Sequence, residues 1–167
     1  MAPAFHLVCG STGAGKTTYS LALTQRLKGL HFSMDEWMVG LFGKDQPEVI
    51  HFDWVMERVG RCEQQIGRMA TQCARAGIAP VLDLSFLRSR DRAKFAEIAE
   101  QAGCSVALHL LEVPAAERWN RVKLRNETRG ETFSLTVSRP IFDFFEKLWE
   151  PPTAAEMSAY DGVNAGS

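Results

Sequence analysis

Apolar residues fall into two rhythms along this chain. Short runs bounded by glycine, proline or charge read as buried strands, and repeats at steps of three and four read as helices. Phe5-His6-Leu7-Val8-Cys9 is the first such run, and Thr18 to Lys28 follows as a helix with Tyr19, Ala22, Leu23 and Leu27 on one face. Leu30-His31-Phe32-Ser33-Met34 is a second strand, ending at Asp35-Glu36. Trp37 to Phe42 then supplies a helical turn or two, and Gly43-Lys44-Asp45-Gln46-Pro47 is turn chemistry. The clearest helix comes next: Val55, Val59, Cys62, Ile66, Met69, Cys73 and Ala76 recur at alternating steps of four and three until Gly77 ends the pattern. The same spacing, over three heptads, also reads as a coiled coil.

Ile78 to Leu84 is a buried strand with Asp83 near its carboxyl end. Ser89 is placed to cap the following helix, whose Phe95, Ile98, Ala99 and Ala102 face inward before Gly103 stops it. Ser105 to Leu111 is another strand, Ala115 to Arg125 another helix, and Asn126 to Phe133 is polar enough for a mobile loop. Pro140 suits a helix start, with Ile141, Phe142, Phe145, Leu148 and Trp149 as a broad apolar face ended by Pro151-Pro152. Strands alternating with helices predict a three-layer α/β/α fold around a parallel sheet of four to five strands. Residues 1–152 are expected to form this domain, with a small lid at about 118–134. Residues 153–167, small and polar with Tyr160 and Val163 as candidates for burial, are expected as a loosely ordered tail.

At 167 residues and 46% apolar composition, the chain suits one domain with a proper core. A net charge of −1, with no run of Lys and Arg, lacks the electrostatic footprint of a duplex-binding protein, so a nucleic-acid partner is not expected. Cys9, Cys62, Cys73 and Cys104 show no C-x-x-C spacing and read as small core residues with free thiols. No stretch reaches the roughly 20 apolar residues of a membrane span, and the N-terminus carries no signal pattern. The expectation is a cytoplasmic protein away from membranes.

Chemistry concentrates first in Gly10-Ser11-Thr12-Gly13-Ala14-Gly15-Lys16-Thr17, which matches G-x-x-x-x-G-K-[S/T] between a strand and a helix. Glycines let backbone N–H groups turn toward phosphates, and the helix start adds unpaired donors and the positive end of its dipole. Lys16 is assigned to the β- and γ-phosphates of ATP and the Thr17 hydroxyl to Mg²⁺, with Thr18 a candidate for one further phosphate contact.

In a parallel sheet, ligands bind beyond the carboxyl ends of the strands, so Asp35 and Asp83 should converge with this loop. Each also has a plain structural reading: Asp35 as the cap of a helix starting at Glu36, Asp83 as a strand end. In Glu117 to Arg125, the 100° step places Arg118, Arg121 and Arg125 on one side and Ala115, Trp119 and Val122 on another. The arginines read either as groups that neutralise a transferring phosphoryl or as a solvated basic face.

Together, Gly10–Thr17, Phe32-Ser33-Met34-Asp35-Glu36, Val81-Leu82-Asp83-Leu84-Ser85-Phe86-Leu87-Arg88 with Arg92, Glu112-Val113-Pro114 and the Arg121/Arg125 pair resemble the small P-loop kinases of the AAA_33 type. That group is similar to polynucleotide 5′-kinases, zeta toxins and chloramphenicol phosphotransferases, and the resemblance covers about residues 5–152. It implies that Asp35 is the base for an acceptor hydroxyl, that Arg121 and Arg125 contact ATP phosphates, and that Asp83 helps organise the site. Polynucleotide kinases carry an arginine three residues beyond the base, where this chain has Met38. Apolar Trp37, Met38, Leu41 and Phe42 instead suggest a less charged acceptor, with specificity set between Trp37 and Arg58. Many relatives also close the sheet with a fifth strand, here absent or a remnant near Tyr160. The function expected is Mg²⁺-ATP-dependent transfer to a hydroxyl of a small molecule. A polynucleotide kinase and a nucleotide-dependent switch or ATPase are the alternatives, although the N-K-x-D and D-x-x-G strings of GTPase switches do not occur.

Overall fold

A computed structural model describes residues 3–128 and 136–166. Five strands, β1 (Phe5–Cys9), β2 (Leu30–Ser33), β3 (Pro80–Asp83), β4 (Val106–Leu110) and β5 (Val163–Asn164), form one sheet in the order β2-β3-β1-β4-β5. Every pairing is parallel. Between them run α1 (Lys16–Leu27), α2 (Met34–Phe42), α3 (Phe52–Arg75), α4 (Ser89–Gln101), α5 (Ala115–Thr128), α6 (Arg139–Leu148) and α7 (Ala154–Ala159), with a 3₁₀ turn at Gly43–Asp45. The α/β fold and parallel sheet expected from the alternation of patterns are present, with five strands.

β1 explains the layering. Its side chains alternate, so Phe5, Leu7 and Cys9 enter a core shared with Cys62, Ile66 and Ala70 of α3 and Phe95 and Ala99 of α4. Val8 joins Leu23 of α1, Val81 and Leu111 on the opposite face. β1 lies between β3 and β4, where the chain order reverses, and that is where a crevice opens at the carboxyl edge of such sheets.

The stripe of α3 differs in phase from the one expected. Cys62, Ile66, Ala70 and Ala74 are buried at steps of four, while Met69 is 42% exposed and Ala76 lies on the surface. This stripe packs into the domain's own core, which answers the coiled-coil reading. Gly67 permits the close fit, since a Cβ there would lie 3.1 Å from Ile98 Cδ1. On α1, Leu23 is buried but Ala22 and Leu27 face outward. On α6, Phe142 alone is fully enclosed and Ile141 is 44% exposed.

Two boundaries move. β2 ends at Ser33, whose hydroxyl accepts the Glu36 N–H at 3.3 Å, so α2 starts at Met34 and Asp35 belongs to its first turn. At α4 the capping position is Arg88 rather than Ser89: the Arg88 N–H bonds Asp91 at 3.1 Å, and Ser89 turns its N–H to Glu150 and its hydroxyl to Glu156. Of the loop expected at Asn126 to Phe133, the first three residues continue α5; residues 129–135, which include the rest of the lid, lie outside the described residues.

The expected loose tail is folded. Thr153 and Glu156 cap α7 reciprocally, and β5 pairs with β4 through His109 opposite Val163 and Leu110 opposite Asn164. Arg92, fully buried on α4, holds this segment down. Its Nε and Nη2 donate to the Glu156 carboxylate at 2.9 and 3.2 Å, and its Nη1 donates to the carbonyls of Phe86 and Glu150. A buried guanidinium needs such saturation to repay its desolvation. No polar residue on a helix face announces a partner 64 positions away. The four cysteines are free and at least half-buried, and no helix among the described residues is long and apolar enough to cross a membrane.

A polar chain crosses the α1 face of the sheet: His6 Nδ1 lies 3.0 Å from His109 Nε2, and His109 Nδ1 lies 2.8 Å from the Tyr19 hydroxyl. Burial, then His6 and Arg26, pushes the His109 imidazole down to about 4, and burial followed by Arg26 lowers His6 as well. The unfolded chain therefore binds protons first as pH falls. The stability contributed is complete above about pH 6.5 and is lost toward pH 4, at up to about 1.4 kcal/mol per pH unit for each proton. Urea unfolding between pH 8 and 4 should show this loss. A His6→Leu/His109→Leu double variant should have a flatter profile, and an unchanged slope would rule the pair out as its source.

Candidate active site

The loop Gly10–Thr17 connects β1 to α1 at the reversal point of the sheet. Gly13 has φ +82° and packs so closely on α5 that a Cβ would lie 2.6 Å from the Arg118 carbonyl oxygen. Gly15, at φ +93°, caps α1 in the left-handed region. The loop thus turns its backbone outward over the N-terminus of a twelve-residue helix, the arrangement that suits an anion.

Lys16 bends back so that its Nζ donates to the Ser11 carbonyl at 3.3 Å. Desolvation lowers its pKa, against the opposing pull of Asp83 first and Asp35 second, so both carboxylates identified in the sequence act on this lysine. The Thr17 hydroxyl donates to Asp83 Oδ2 at 2.7 Å. Asp83, at the end of β3, is buried, and His31 Nε2 lies 3.8 Å from the same oxygen. Ser33 and Asp83 are paired across β2 and β3, which puts the first turn of α2, with Asp35, at the same edge. A hydroxyl and a carboxylate oxygen are the hard donors Mg²⁺ takes, usually with one or two carboxylates, waters and substrate phosphates, so Thr17 and Asp83 fit that ion. Thr18 is exposed on the outer side of α1.

The arginines of α5 part company. Arg121 is exposed, pairs with Glu117 at 2.6 Å and brings its Nη1 within 3.8 Å of where a Gly15 Cβ would be. Arg125 is half-buried, with its Nε enclosed and unpartnered, and its charge depresses the Lys16 pKa. Arg118 is buried instead of sharing their exposed face. It makes a fork with Glu146 of α6 at 2.6 and 2.7 Å, donates to the carbonyls of Thr12 at 3.0 Å and Val113 at 2.7 Å, and lies over Phe142. The Ser11 hydroxyl also donates to Glu146, and the Arg118 guanidinium is the main cause holding the Glu146 carboxyl below its usual range. Glu146 is the residue sequence reasoning missed. Its signal was an acid four positions after Phe142 on an otherwise apolar helix face. Beside this clamp, a cleft of about 320 Å³ opens between Ser11, residues 111–114, Arg118 and Trp149.

The AAA domain family AAA_33 matches residues 5–140. The chain belongs to the AAA_33 family. No curated protein matches it in sequence. Solved structures share the architecture of this AAA_33 chain at low identity. Chaetomium thermophilum Kti12, in complex with ADP-AlF3, has a TM-score of 0.74 and 14% identity over 97% of this chain and 88% of its own. A gluconokinase from Sinorhizobium meliloti has a TM-score of 0.67 and 15% identity over 99% and 83%, respectively. The Mycobacterium tuberculosis APS kinase CysC, with AMPPNP and APS, has a TM-score of 0.57 and 16% identity over 89% and 96%. The fold of this AAA_33 member is the P-loop kinase fold.

The Arg118 clamp yields a stability prediction. Glu146→Ala leaves a buried guanidinium without its acid and should cost about 3 kcal/mol in urea unfolding. Glu146→Gln, which keeps one acceptor oxygen, should cost less. A loss under about 1 kcal/mol for the alanine variant would mean that water replaces the carboxylate.

Proposed function

We propose that the protein is a Mg²⁺-ATP-dependent phosphotransferase acting on a hydroxyl of a small-molecule acceptor. The observation that carries this reading is the meeting of Lys16, the Thr17–Asp83 pair and Asp35 at one sheet edge beside the phosphate loop. In the reaction the acceptor oxygen bonds to the γ-phosphorus as the bond to the β–γ bridging oxygen breaks. ADP leaves with that electron pair, and Asp35 takes the acceptor proton and passes it to solvent. The backbone of Gly10 to Thr17 cradles the phosphates while Lys16 counters charge on the β- and γ-oxygens. Thr17 and Asp83 would hold Mg²⁺, which supplies further neutralisation of phosphate charge. Asp83 therefore has a more specific task than the general organising one expected from the resemblance. Arg121 and Arg125 flank the loop for the charge that spreads over the transferring group, and the cleft beside Ser11 and Trp149 suits the nucleotide's base and ribose.

Nucleic-acid ends are the weaker acceptors, given the net charge of −1 and Met38 three residues beyond the base. Transfer from γ-labelled ATP to nucleosides, oligonucleotide ends, aminoglycosides, chloramphenicol-like alcohols and sugars tests the reading. Label on one small-molecule class supports it and identifies the acceptor, label on oligonucleotide ends favours the polynucleotide kinase alternative, and ATP hydrolysis with no acceptor labelled favours the switch or ATPase alternative.

Asp35→Asn keeps the side chain's shape but cannot accept the proton, so kcat should drop about 10²- to 10⁴-fold while ATP affinity changes little. Normal turnover in this variant would shift the search for the base to Asp83. Arg121→Ala or Arg125→Ala should lower kcat more than it weakens ATP binding, because a charge engaged in the closed state acts on the transition state. A kcat unchanged from that of the parent protein in both variants would leave the two arginines as surface charge.

A further inference from the structure

The region between α2 and the start of α3 holds a cation that the phosphotransferase reading does not use. Phe42 lies seven residues beyond Asp35 on α2, two turns and about 10 Å along the axis, so the two share one flank of the helix. Arg58, in the second turn of α3, places its guanidinium carbon 5.6 Å from the Phe42 ring centroid and 3.8 Å from that of Trp54. A guanidinium has five N–H donors. Here Nη1 donates to the Trp54 carbonyl at 3.0 Å and lies 3.4 Å from Glu57, while Nε is enclosed with no hydrogen-bond partner. Glu57 is a weak counter-charge, because its other oxygen is taken by Arg61. The result is a cation fixed in orientation by two aromatic faces, 19% exposed, with donor capacity to spare.

We infer that Arg58 binds an oxyanion of the acceptor. This rests on the phosphotransferase reading and deepens it: the acceptor carries its reactive hydroxyl toward Asp35 and a carboxylate, phosphate or sulfate toward Arg58, which lies past the two helical turns, about 10 Å of axis, that separate Asp35 from Phe42. An apolar or planar section between them packs on the Phe42 and Trp54 side. The missing arginine at Met38 made a less charged acceptor the expectation, but a cation reaches this flank from α3. Stacking on aromatic faces holds the planar fork in place for bidentate capture of an oxyanion.

The test reads equilibrium binding rather than turnover. Calorimetric titrations with ADP bound would compare gluconate with glucitol, glucose 6-phosphate with glucose, and adenosine 5′-phosphate with adenosine. At least one anionic member should bind about 10- to 100-fold more tightly than its neutral partner. Arg58→Gln should erase that preference and Arg58→Lys should restore part of it, with ATP affinity unchanged in both. Thermal unfolding separates this from a folding defect: if Arg58→Gln melts early, the lysine variant decides, since it keeps the charge without the fork. Equal binding within every pair, no binding by any anionic probe, or a preference that survives Arg58→Gln overturns the inference while leaving phosphoryl transfer intact. Arg58-dependent anion binding without transfer to any acceptor would leave the anion site standing and count against the phosphotransferase reading.

Discussion

A lysine ammonium drawn partly out of water, with two carboxylates favouring its charge and an arginine opposing it, sets the terms for the carboxyl edge of this sheet. Lys16 loses hydration at the start of α1, and Asp83 and Asp35 counter the loss while Arg125 adds to it. Such a balance requires β2, β3 and α5 to bring those charges to the same edge of the sheet. The parallel order of the strands does so by ending β2 and β3 in register at Ser33 and Asp83, beside the loop that follows β1.

Two arginines solve the complementary problem of joining distant parts of the chain. Arg118 bonds to the phosphate loop, to the segment after β4 and to Glu146 of α6, so three separate elements share one charged knot. Arg92 does the same between α4, the loop after β3 and the final helix. That loop carries two non-glycine residues at positive φ, Ser85 at 70° and Phe86 at 42°, separated from Asp83 by Leu84. Its shape is costly on its own, and the Arg92 bond to the Phe86 carbonyl together with the buried Phe86 ring holds it in place. Buried pairs of this type specify one arrangement more than they add net stability, because removing a partner costs far more than the intact pair contributes.

The other half of the edge is more open. α2 begins with a serine cap and an acid in its first turn, then continues as an apolar helix whose Met34, Trp37, Met38 and Phe42 lean on the core. Asp35 is thereby presented on a helix and not on a loop, which fixes the position of its carboxylate. Leu41, Val49, Ile50 and Phe52 remain more than half exposed around the same segment. An acceptor cleft of this composition would draw its affinity from apolar contact and its orientation from the few charges within it.

Local order determines most of the sequence's share of this picture. A glycine loop between a strand and a helix, apolar runs of strand length and steps of three and four are short-range signals, and they were sufficient for the α/β class, the phosphate loop and the carboxylates at Asp35 and Asp83. Tertiary structure decided what depends on partners far away. Arg118 and Arg125 have the same helical phase, yet Arg118 turns inward because Glu146 waits 28 residues downstream. The final residues look too polar to fold until Arg92 and β4 supply an ion pair and a ladder. The stripe of α3 takes its phase from the neighbours it packs against, leaving Met69 outside. Periodicity within one segment carries its own geometry; it does not carry the identity of the surface that will bury it.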